Sequence, residues 1–283
     1  MNQPSLRLLV LTHGAGELAL ERLIGLASVE VAAIFVETKT EPQRTFIDKL
    51  RRSIRYDGYG STALKFARKL VGSRVSSPAS ATQETLHRLR KIASDHSVPI
   101  HFVSDYHSPD SIEMMRAANA DLGVLLGTNI LRESVFKVPR LGSINLHQGL
   151  APYYRGCPAI FWELYNGERE VGITVHFVES KVDTGDIILQ RTVPLEYDYR
   201  HGLDFEAFIT DYRQKLVVPC ANLIADAVQM IAVGNETRVS QNCSLGKRYR
   251  LPIKKEKDEL RRRLRERRKR TVQYGLAEKV SGV

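Results

Sequence analysis

The hydrophobic and polar positions at the start of the chain predict the opening of a parallel α/β sheet. Residues 6–12, which are apolar apart from Arg7 and Thr12, are typical of a buried strand, and a glycine-containing loop follows at 13–16. Residues 17–27 carry apolar side chains at helical spacing, and residues 30–37 form a second apolar run of strand length. A strand, a glycine turn, a helix and a strand in this order are typical of a doubly wound sheet.

Residues 38–79 interrupt this pattern, and we interpret them as a helical insertion after the second strand. The stretch contains ten Lys or Arg residues against three acids, and Gly58-Tyr59-Gly60 divides it into two amphipathic halves. It leaves the sheet at the carboxyl end of a strand, where open α/β sheets bind ligands. We therefore expect the insertion to line or cover a binding site. A solvated helical hairpin remote from the site is the alternative.

The alternation of strands and helices resumes after the insertion, and we expect residues 1–235 to form one α/β domain. A polar and then strongly basic segment follows, which we interpret as a helical tail at 236–283. The pattern predicts strands at 99–103, 122–126 and 143–147, an antiparallel strand pair at 171–178 and 186–193, and helices at 83–94, 109–118, 158–165 and 203–233, the last broken near Pro219.

Composition excludes several classes of protein. With 283 residues, 43% of them hydrophobic and 26% charged, the chain is too apolar to be wholly disordered. No apolar run approaches the roughly 20 residues that span a bilayer, and the first residues lack the pattern of a signal peptide. The three cysteines, Cys157, Cys220 and Cys243, are too scattered for a disulfide framework. We therefore expect a cytoplasmic protein without a membrane partner.

The positive charge of the chain belongs to its tail. Residues 247–270 contain 14 basic and four acidic side chains, so this segment alone accounts for the net charge of +10. The rest of the chain is formally neutral, which argues against a general nucleic-acid-binding surface. We favour a solvated charged helix over 254–270. Contact with RNA through 247–270, driven by counterion release, is the alternative.

Three polar residues form a candidate catalytic set. Asn145 and His147 are two positions apart on a predicted strand, so both project from one face near its carboxyl end. Asp183 lies in an acidic turn between the two antiparallel strands and can reach the imidazole. An imidazole can relay a proton, a carboxylate can orient it, and an amide can stabilise an oxyanion. Because no Ser or Cys has triad spacing, these residues indicate acyl transfer to an amine or to water.

Three runs carry a closer resemblance. The runs are GSINLHQGLAPYYRG at 142–156, GITVH at 172–176 and DTGDI at 183–187, and His147 and Asp183 are 36 positions apart. Together they closely resemble the formyltetrahydrofolate-dependent formyltransferase family, whose signature is Asn-x-His-x-Ser-Leu-Leu-Pro followed by Asp-x-Gly. The family includes methionyl-tRNA, glycinamide ribonucleotide and aminosugar formyltransferases and formyltetrahydrofolate hydrolase. The resemblance covers roughly residues 1–37 and 80–235.

The resemblance implies a Rossmann-like formyltransferase fold with a mostly parallel, twisted sheet. It implies that Asn145, His147 and Asp183 are catalytic, that 10-formyltetrahydrofolate is the formyl donor, and that no metal takes part. The residues that it implies for binding the donor are Leu126, Thr128 and Ile130 beside the pterin, Gly149, Leu150, Ala151 and Pro152 in the loop after His147, and Glu179, Ser180, Lys181 and Val182 in the loop before Asp183.

The acceptor is the least constrained part of the hypothesis. The loop at 13–16 lacks the phosphate-binding sequence of glycinamide ribonucleotide formyltransferase, and the residues after 235 are too few for the barrel of methionyl-tRNA formyltransferases. Gly149 replaces the family's Ser, which removes a hydroxyl group beside the ligand. The basic insertion favours a primary amine on an anionic small molecule or a nucleotide-linked acceptor. Tyr153-Tyr154-Arg155-Gly156 slightly favours an aminosugar.

Other functions stay open at this point. A hydrolase would use water as the nucleophile, although a chain that begins with the catalytic strand favours a transferase. A methionyl-tRNA formyltransferase-like enzyme, or an RNA-binding protein that acts through the tail, is a further alternative. Gly14-x-Gly16-x-x-Ala19 with Glu37 imitates a dinucleotide-binding fingerprint, but a tight turn between strand and helix explains it more simply. The histidines lack the spacing of a metal site.

Overall fold

A computed structural model describes residues 5–38, 55–56, 78–156 and 158–280 of the chain. Most of the insertion at 38–79 lies outside these residues, including both halves of the expected helical hairpin. The strands are β1 (Leu6–Thr12), β2 (Val29–Glu37), β3 (Ile100–Val103), β4 (Leu122–Leu126), β5 (Ser143–His147), β6 (Tyr154–Gly156), β7 (Glu170–Phe177), β8 (Ile187–Pro194) and β9 (Lys247–Tyr249). The helices are α1 (Glu17–Ile24), α2 (Pro78–Asp95), α3 (Pro109–Ala117), α4 (Glu133–Phe136), α5 (Phe161–Asn166), α6 (Phe205–Ala232) and α7 (Lys254–Val280).

Seven strands form one sheet in the order β3-β2-β1-β4-β5-β7-β8. The first five of these are parallel, and β7 and β8 extend the sheet as an antiparallel pair. The predicted α/β fold with a mostly parallel sheet is therefore confirmed. Because β7 runs antiparallel to β5, with Ile144 opposite Phe177, the turn that follows β7 starts beside the amino end of β5 and folds back to bring Asp183 near His147.

Both faces of the sheet are buried, which explains why β1 is mostly apolar rather than alternating. Leu8 and Val10 point to the face covered by α1 and α6, whereas Leu9 and Leu11 point to the face covered by α3 and α4. Successive side chains of a strand point to opposite faces, so each face receives every second residue. The rigid sheet that results fixes the strand ends that carry polar residues.

The helix α6 continues through Pro219, so the break predicted there is wrong. The proline removes one backbone hydrogen bond, but Leu216, Cys220 and Ile224 around it are buried against the sheet. Packing of this apolar face compensates for the lost bond. Among the described residues, α6 is also the one helix long and apolar enough to cross a membrane, yet half of its most apolar window is buried inside the protein.

The basic tail packs on the α/β domain, in contrast to the solvated helix that its composition predicts. Leu260 and Leu264 of α7 are fully buried. Arg263 Nη1 donates to the carbonyl of Tyr165 at 2.6 Å, and Arg267 Nη1 donates to that of Leu164 at 3.2 Å. Two leucines at i and i+4 are enough to bury one stripe of this helix, because each buried leucine contributes about 1.5–3 kcal/mol.

A second, two-stranded sheet connects the tail to the loop after His147. In it, β9 runs parallel to β6, with Tyr154 opposite Lys247 and Gly156 opposite Tyr249. These three-residue strands carry no periodic pattern, so the sequence analysis missed them both. The pairing brings residues of the 236–283 segment beside the candidate catalytic residues.

Candidate active site

The antiparallel pairing of β5 and β7 assembles four polar side chains. Asn145 lies opposite His176, and His147 lies opposite Thr174. All four residues share one face of the two strands because they alternate along each strand. His147 and His176 are buried, with 7% and 2% of their surface exposed. Two imidazoles and an amide thus lie together at the carboxyl end of β5.

Asp183 completes this cluster from the turn between β7 and β8. Its Oδ2 accepts a hydrogen bond from the Gly156 amide at 2.8 Å and lies 3.5 Å from His147 Nδ1. Its Oδ1 lies 3.4 Å from His176 Nε2. The backbone of Asp183 has φ 53°, a conformation that non-glycine residues rarely adopt. The two imidazoles and the Gly156 amide hold the carboxylate in this strained turn.

Both nitrogens of the His147 ring face hydrogen-bond acceptors. Nε2 donates to the carbonyl of Tyr154 at 2.7 Å, while Nδ1 faces the Asp183 carboxylate. A neutral imidazole can donate from only one nitrogen, so one of the two contacts is unsatisfied until the ring gains a proton. Only the imidazolium form donates from both nitrogens, and the neutral ring leaves the Nδ1 contact with Asp183 unsatisfied.

Burial and the neighbouring charges leave both central groups deprotonated at neutral pH. Burial lowers the pKa of His147, although the Asp183 carboxylate and the Tyr154 carbonyl act in the opposite direction. Burial also tends to raise the pKa of Asp183, but the hydrogen bond from His176, the His147 charge and the Gly156 amide outweigh it and lower this pKa to about 2. At neutral pH, Asp183 is ionised and His147 is an unprotonated base.

Gly149 is required by the position of the His147 ring. A Cβ atom on Gly149 would lie 2.4 Å from His147 Nε2 and 2.4 Å from the Tyr154 carbonyl oxygen. No side chain fits there while the imidazole donates to Tyr154. Gly149 therefore packs against the His147 imidazole, and its place beside the ligand stays a prediction.

Hydrogen bonds from two polar side chains fix the rest of the loop after His147. Thr174 Oγ1 donates to the Gly149 carbonyl at 2.7 Å, and Gln190 Nε2 donates to the Ala151 carbonyl at 2.7 Å. The Ala151-Pro152 peptide bond is cis. Of the predicted donor-binding residues, the four of this loop, Gly149, Leu150, Ala151 and Pro152, do not line the main cavity. Gly149 is the one of the four that packs against the His147 ring, and donor binding by this loop stays a prediction.

A cavity of about 1660 Å³ opens above the catalytic cluster. Asn145, His147, His176 and Asp183 all line it. The other predicted donor-binding residues also line this cavity: Leu126, Thr128, Ile130, Glu179, Ser180, Lys181 and Val182. Single ligand sites usually occupy about 300–1000 Å³, so the space is large enough for two substrates.

Several residues that line the cavity were missed by the sequence analysis. His176 was assigned no role, although its place on the strand paired with β5 puts it opposite Asn145. Arg213 contributes from α6, and Arg248 and Arg250 contribute from the tail. Arg55 and Tyr56 of the insertion line it as well, as expected for an insertion at this edge of the sheet. Only His176 had a sequence signal, its i, i+2 spacing from Thr174.

The residues that would form a dinucleotide site or a metal site make other contacts. The Glu37 carboxylate, which a nucleotide ribose would need, accepts from the Tyr106 amide at 2.8 Å and lies 3.2 Å from His13 Nε2. Among the described residues, Glu37, Asp105 and His107 form the one group with metal-binding distances. The ring of His107 contacts Asp105 through Nδ1 and the Arg132 amide through Nε2, so both nitrogens are occupied.

Sequence comparison shows which known proteins part of this chain resembles. Residues 72–202 match the family described as "Formyl transferase". The methionyl-tRNA formyltransferase of Azobacteroides pseudotrichonymphae genomovar. CFP2 is 32% identical over 153 residues, which cover 54% of this chain and 47% of that protein. The matched residues are a little under half of this chain, and the chain spans about half the length of the curated relatives that it matches.

Solved structures share the fold at low sequence identity. Glycinamide ribonucleotide transformylase 1 from Symbiobacterium toebii is 21% identical and has a TM-score of 0.54, covering 84% of this chain and 93% of its own. A 4-N formyltransferase from Francisella tularensis is 17% identical and has a TM-score of 0.50, covering 86% and 76%. At these identities the likeness concerns the fold, and the reaction has to be argued from the site.

Proposed function

We propose that this protein is a cytoplasmic N-formyltransferase that moves the formyl group of 10-formyltetrahydrofolate to a primary amine. The observation that carries the proposal is the Asn145, His147 and Asp183 cluster at the base of a cavity that can hold two substrates. The family match over 72–202 includes all three residues. The acceptor is proposed to be an anionic small molecule or a nucleotide-linked amine.

The cavity walls fit a folate donor. Leu126, Thr128 and Ile130 lie at the end of β4, and residues 179–182 lie in the turn that leads to Asp183. These two segments would hold the donor beside the catalytic cluster. Bound there, 10-formyltetrahydrofolate would supply an activated formyl carbon, and no metal is needed for that chemistry.

We assign His147 as the general base. Its lowered pKa keeps the ring unprotonated at neutral pH and ready to accept the proton that the attacking amine loses. The resulting imidazolium donates to both the Tyr154 carbonyl and the Asp183 carboxylate. Protonation therefore satisfies a contact that the neutral ring leaves open. The same proton is then available for the departing folate nitrogen.

We assign Asn145 as the donor to the developing oxyanion. Its Nδ2 group lies 3.4 Å from His176 Nε2, which is long for a hydrogen bond. The amide is thus held in place but can donate to a stronger acceptor. Transition-state oxyanions are such acceptors, and fixed amide donors of this kind contribute several kcal/mol to catalysis, roughly 3–4 in favourable cases.

A mass-spectrometric screen tests this proposal. Amine metabolites, including aminosugar nucleotides and phosphorylated amines, are incubated with the protein and 10-formyltetrahydrofolate, and a gain of one formyl group is the expected result. Asp183→Ala serves as the inactive control. Formate release over many turnovers without any amine would identify a hydrolase instead, and the absence of donor binding would contradict both assignments.

Methionyl-tRNA is a second candidate acceptor, favoured by one observation. The curated relatives are methionyl-tRNA formyltransferases that are 32–36% identical to part of this chain. Their matched region is the catalytic portion only, so it supports formyl transfer more strongly than it supports the tRNA acceptor. Including methionyl-tRNA in the same screen decides between this candidate and a small-molecule amine.

A further inference from the structure

The segment that joins α6 to α7 forms a wall of the cavity. Val239 makes an antiparallel bridge to Ile187, immediately after the turn that carries Asp183. Gln241 Nε2 donates to the Gly185 carbonyl at 2.6 Å, and Ser240 Oγ donates to Asp186 Oδ1 at 2.9 Å. The first part of this segment is therefore attached to the turn that holds the catalytic carboxylate.

The following strand, β9, is fixed on the opposite side of that turn. Gly246 approaches the loop so closely that a Cβ atom there would lie 2.2 Å from the Pro152 carbonyl oxygen. The ring of Tyr249 stacks on that of Tyr154, with centroids 5.1 Å apart, and Trp162 Nε1 donates to the Arg250 carbonyl at 2.9 Å. These contacts hold the backbone of β9 independently of its arginine side chains.

This placement puts the Arg248 side chain beside Gly156. Arg248 Cγ lies 3.2 Å from the position that a Cβ atom on Gly156 would take. The amide of the same Gly156 donates to Asp183 Oδ2. The Arg248 side chain leaves the backbone at the cavity wall next to the residue that holds Asp183, and it is exposed to the cavity.

The arginines that line the cavity differ in their partners. Arg250 makes two hydrogen bonds to Glu256, at 2.9 and 3.1 Å, so its charge is already compensated. Arg248 and Arg213 have no ion pair or hydrogen bond with any side chain of the described residues. Both are exposed and both line the same cavity. Two uncompensated guanidinium groups at one cavity are a site for an anion.

The acidic residues of the cavity do not neutralise this positive region. The acidic residues that line it are Glu17, Glu179 and Asp183, and the last of these accepts a hydrogen bond from the Gly156 amide and lies beside two imidazoles. Lys181 adds a further cation. A guanidinium offers a planar set of donors that matches phosphate oxygens, and such charge-assisted bonds are about twice as strong as neutral ones.

We propose that Arg248 and Arg213 bind a phosphate group of the formyl acceptor, so that this protein selects amines that also carry a phosphate ester or diphosphate. The inference rests on the proposed function, because it assigns one side of the same cavity to the acceptor. It also gives the tail a role in substrate binding, as one wall of the active site.

The test uses inorganic pyrophosphate as a probe and the full-length protein. Isothermal titration calorimetry measures its Kd with the unaltered protein and with Arg248→Gln, Arg213→Gln and Arg265→Gln. Arg265 is a matched control, since it lies exposed on α7, has no ion pair among the described residues and does not line the cavity. Succinate is titrated in parallel as an anion without phosphate.

Pyrophosphate is expected to bind the unaltered protein, and its Kd is expected to rise about tenfold or more in Arg248→Gln and Arg213→Gln. Arg265→Gln should leave the Kd unchanged. No binding to the unaltered protein, an equal loss in all three variants, or succinate binding as tightly as pyrophosphate would each overturn the inference.

A separate titration distinguishes failure of this inference from failure of the proposed function. The Kd of 5-formyltetrahydrofolate, a donor analogue, is expected to be the same in all four proteins because the donor segments lie elsewhere in the cavity. If the analogue binds and pyrophosphate does not discriminate the variants, the phosphate site is wrong and formyl transfer stands. If the unaltered protein does not bind the analogue, the proposed function itself is contradicted.

Discussion

The base of the cavity and its tail wall are built in different ways. The base consists of Asn145, His147 and Asp183, of which His147 is buried and the other two are partly buried, and the central sheet and its adjoining turn position all three. The wall consists of β9 and Arg248, positioned by stacking and backbone contacts with an exposed, unpaired guanidinium. The contrast indicates a division of labour, in which the base performs proton transfer and the wall selects the acceptor.

Removing the carboxylate of the base should have the largest effect. Asp183→Asn is expected to lower kcat about 10²–10⁴-fold, because the imidazolium of His147 loses its counterion.

In the unaltered protein, kcat/KM should fall at acid pH as His147 becomes protonated, with an apparent pKa below the ordinary value of a histidine.

The pH profile of the same variant provides a second readout. The Asp183 carboxylate raises the pKa of His147, so its removal should move the acid limb of kcat/KM to lower pH. If the acid limb of kcat/KM stays at the same pH in Asp183→Asn while kcat falls, the electrostatic effect of Asp183 on His147 is contradicted. Asp183 would then be a structural residue of the turn.

The helix α7, which follows this wall, should contribute to the stability of the folded domain. Leu264 of α7 is fully buried, so Leu264→Ala should lower the free energy of unfolding by about 2–5 kcal/mol. Chemical denaturation measures this change. Leu245→Ala, at a leucine that is 57% exposed, is the control and should change it by less than about 0.5 kcal/mol. Equal effects would show that α7 is not docked as described.

A buried carboxyl group behind the catalytic loop should make stability depend on pH. Burial raises the pKa of Glu163 to about 7, because neither carboxylate oxygen has a hydrogen-bond partner among the described residues. The unfolded chain ionises near its ordinary value, so the free energy of unfolding should decrease as the pH rises from about 4.5 to about 7 and then level off.

The variant Glu163→Gln should lack this decrease. At pH 8 it should be more stable than the unaltered protein by about 1–3 kcal/mol, whereas at pH 4 the two should be similar. Thermal or chemical unfolding at both pH values measures the difference. A Glu163→Gln protein that is less stable at pH 8 would show that the ionised carboxylate has a stabilising partner.

The smallest effect expected concerns the fit between Gly149 and His147. Gly149→Ala introduces a Cβ atom 2.4 Å from His147 Nε2 and should turn the ring away from Tyr154. We expect kcat to fall about tenfold, as a displaced base transfers protons less efficiently. Gly25→Ala is the matched control, because its Cβ atom would meet backbone at 3.4 Å or more and its φ is compatible with alanine. An equal loss in both would contradict the assignment.

The base of the cavity was predictable from sequence because its determinants are local. Asn145 and His147 owe their common face to i, i+2 spacing, and the parallel sheet follows from the apolar runs that precede it. Asp183 required the family resemblance, because a residue in a turn has no periodicity that locates it. His176 was missed since its role depends on the register between β5 and β7.

The wall was not predictable because its determinants are distant in sequence. The pairing of Tyr154 with Lys247 joins three-residue strands about ninety residues apart, and no local pattern specifies such a contact. The two buried leucines of α7 were visible in the sequence, but 14 basic residues around them favoured a solvated helix. Likewise, the contact that excludes a side chain at Gly149 comes from the His147 rotamer.

The division of labour itself is tested most directly by comparing the steady-state kinetics of His147→Ala and Arg248→Gln with the acceptor found in the screen. The account predicts that His147→Ala lowers kcat by about 10²-fold or more with little change in acceptor KM, and that Arg248→Gln raises acceptor KM about tenfold with kcat nearly unchanged. If Arg248→Gln instead lowers kcat and leaves KM unchanged, or if His147→Ala keeps near-normal turnover, the account is contradicted.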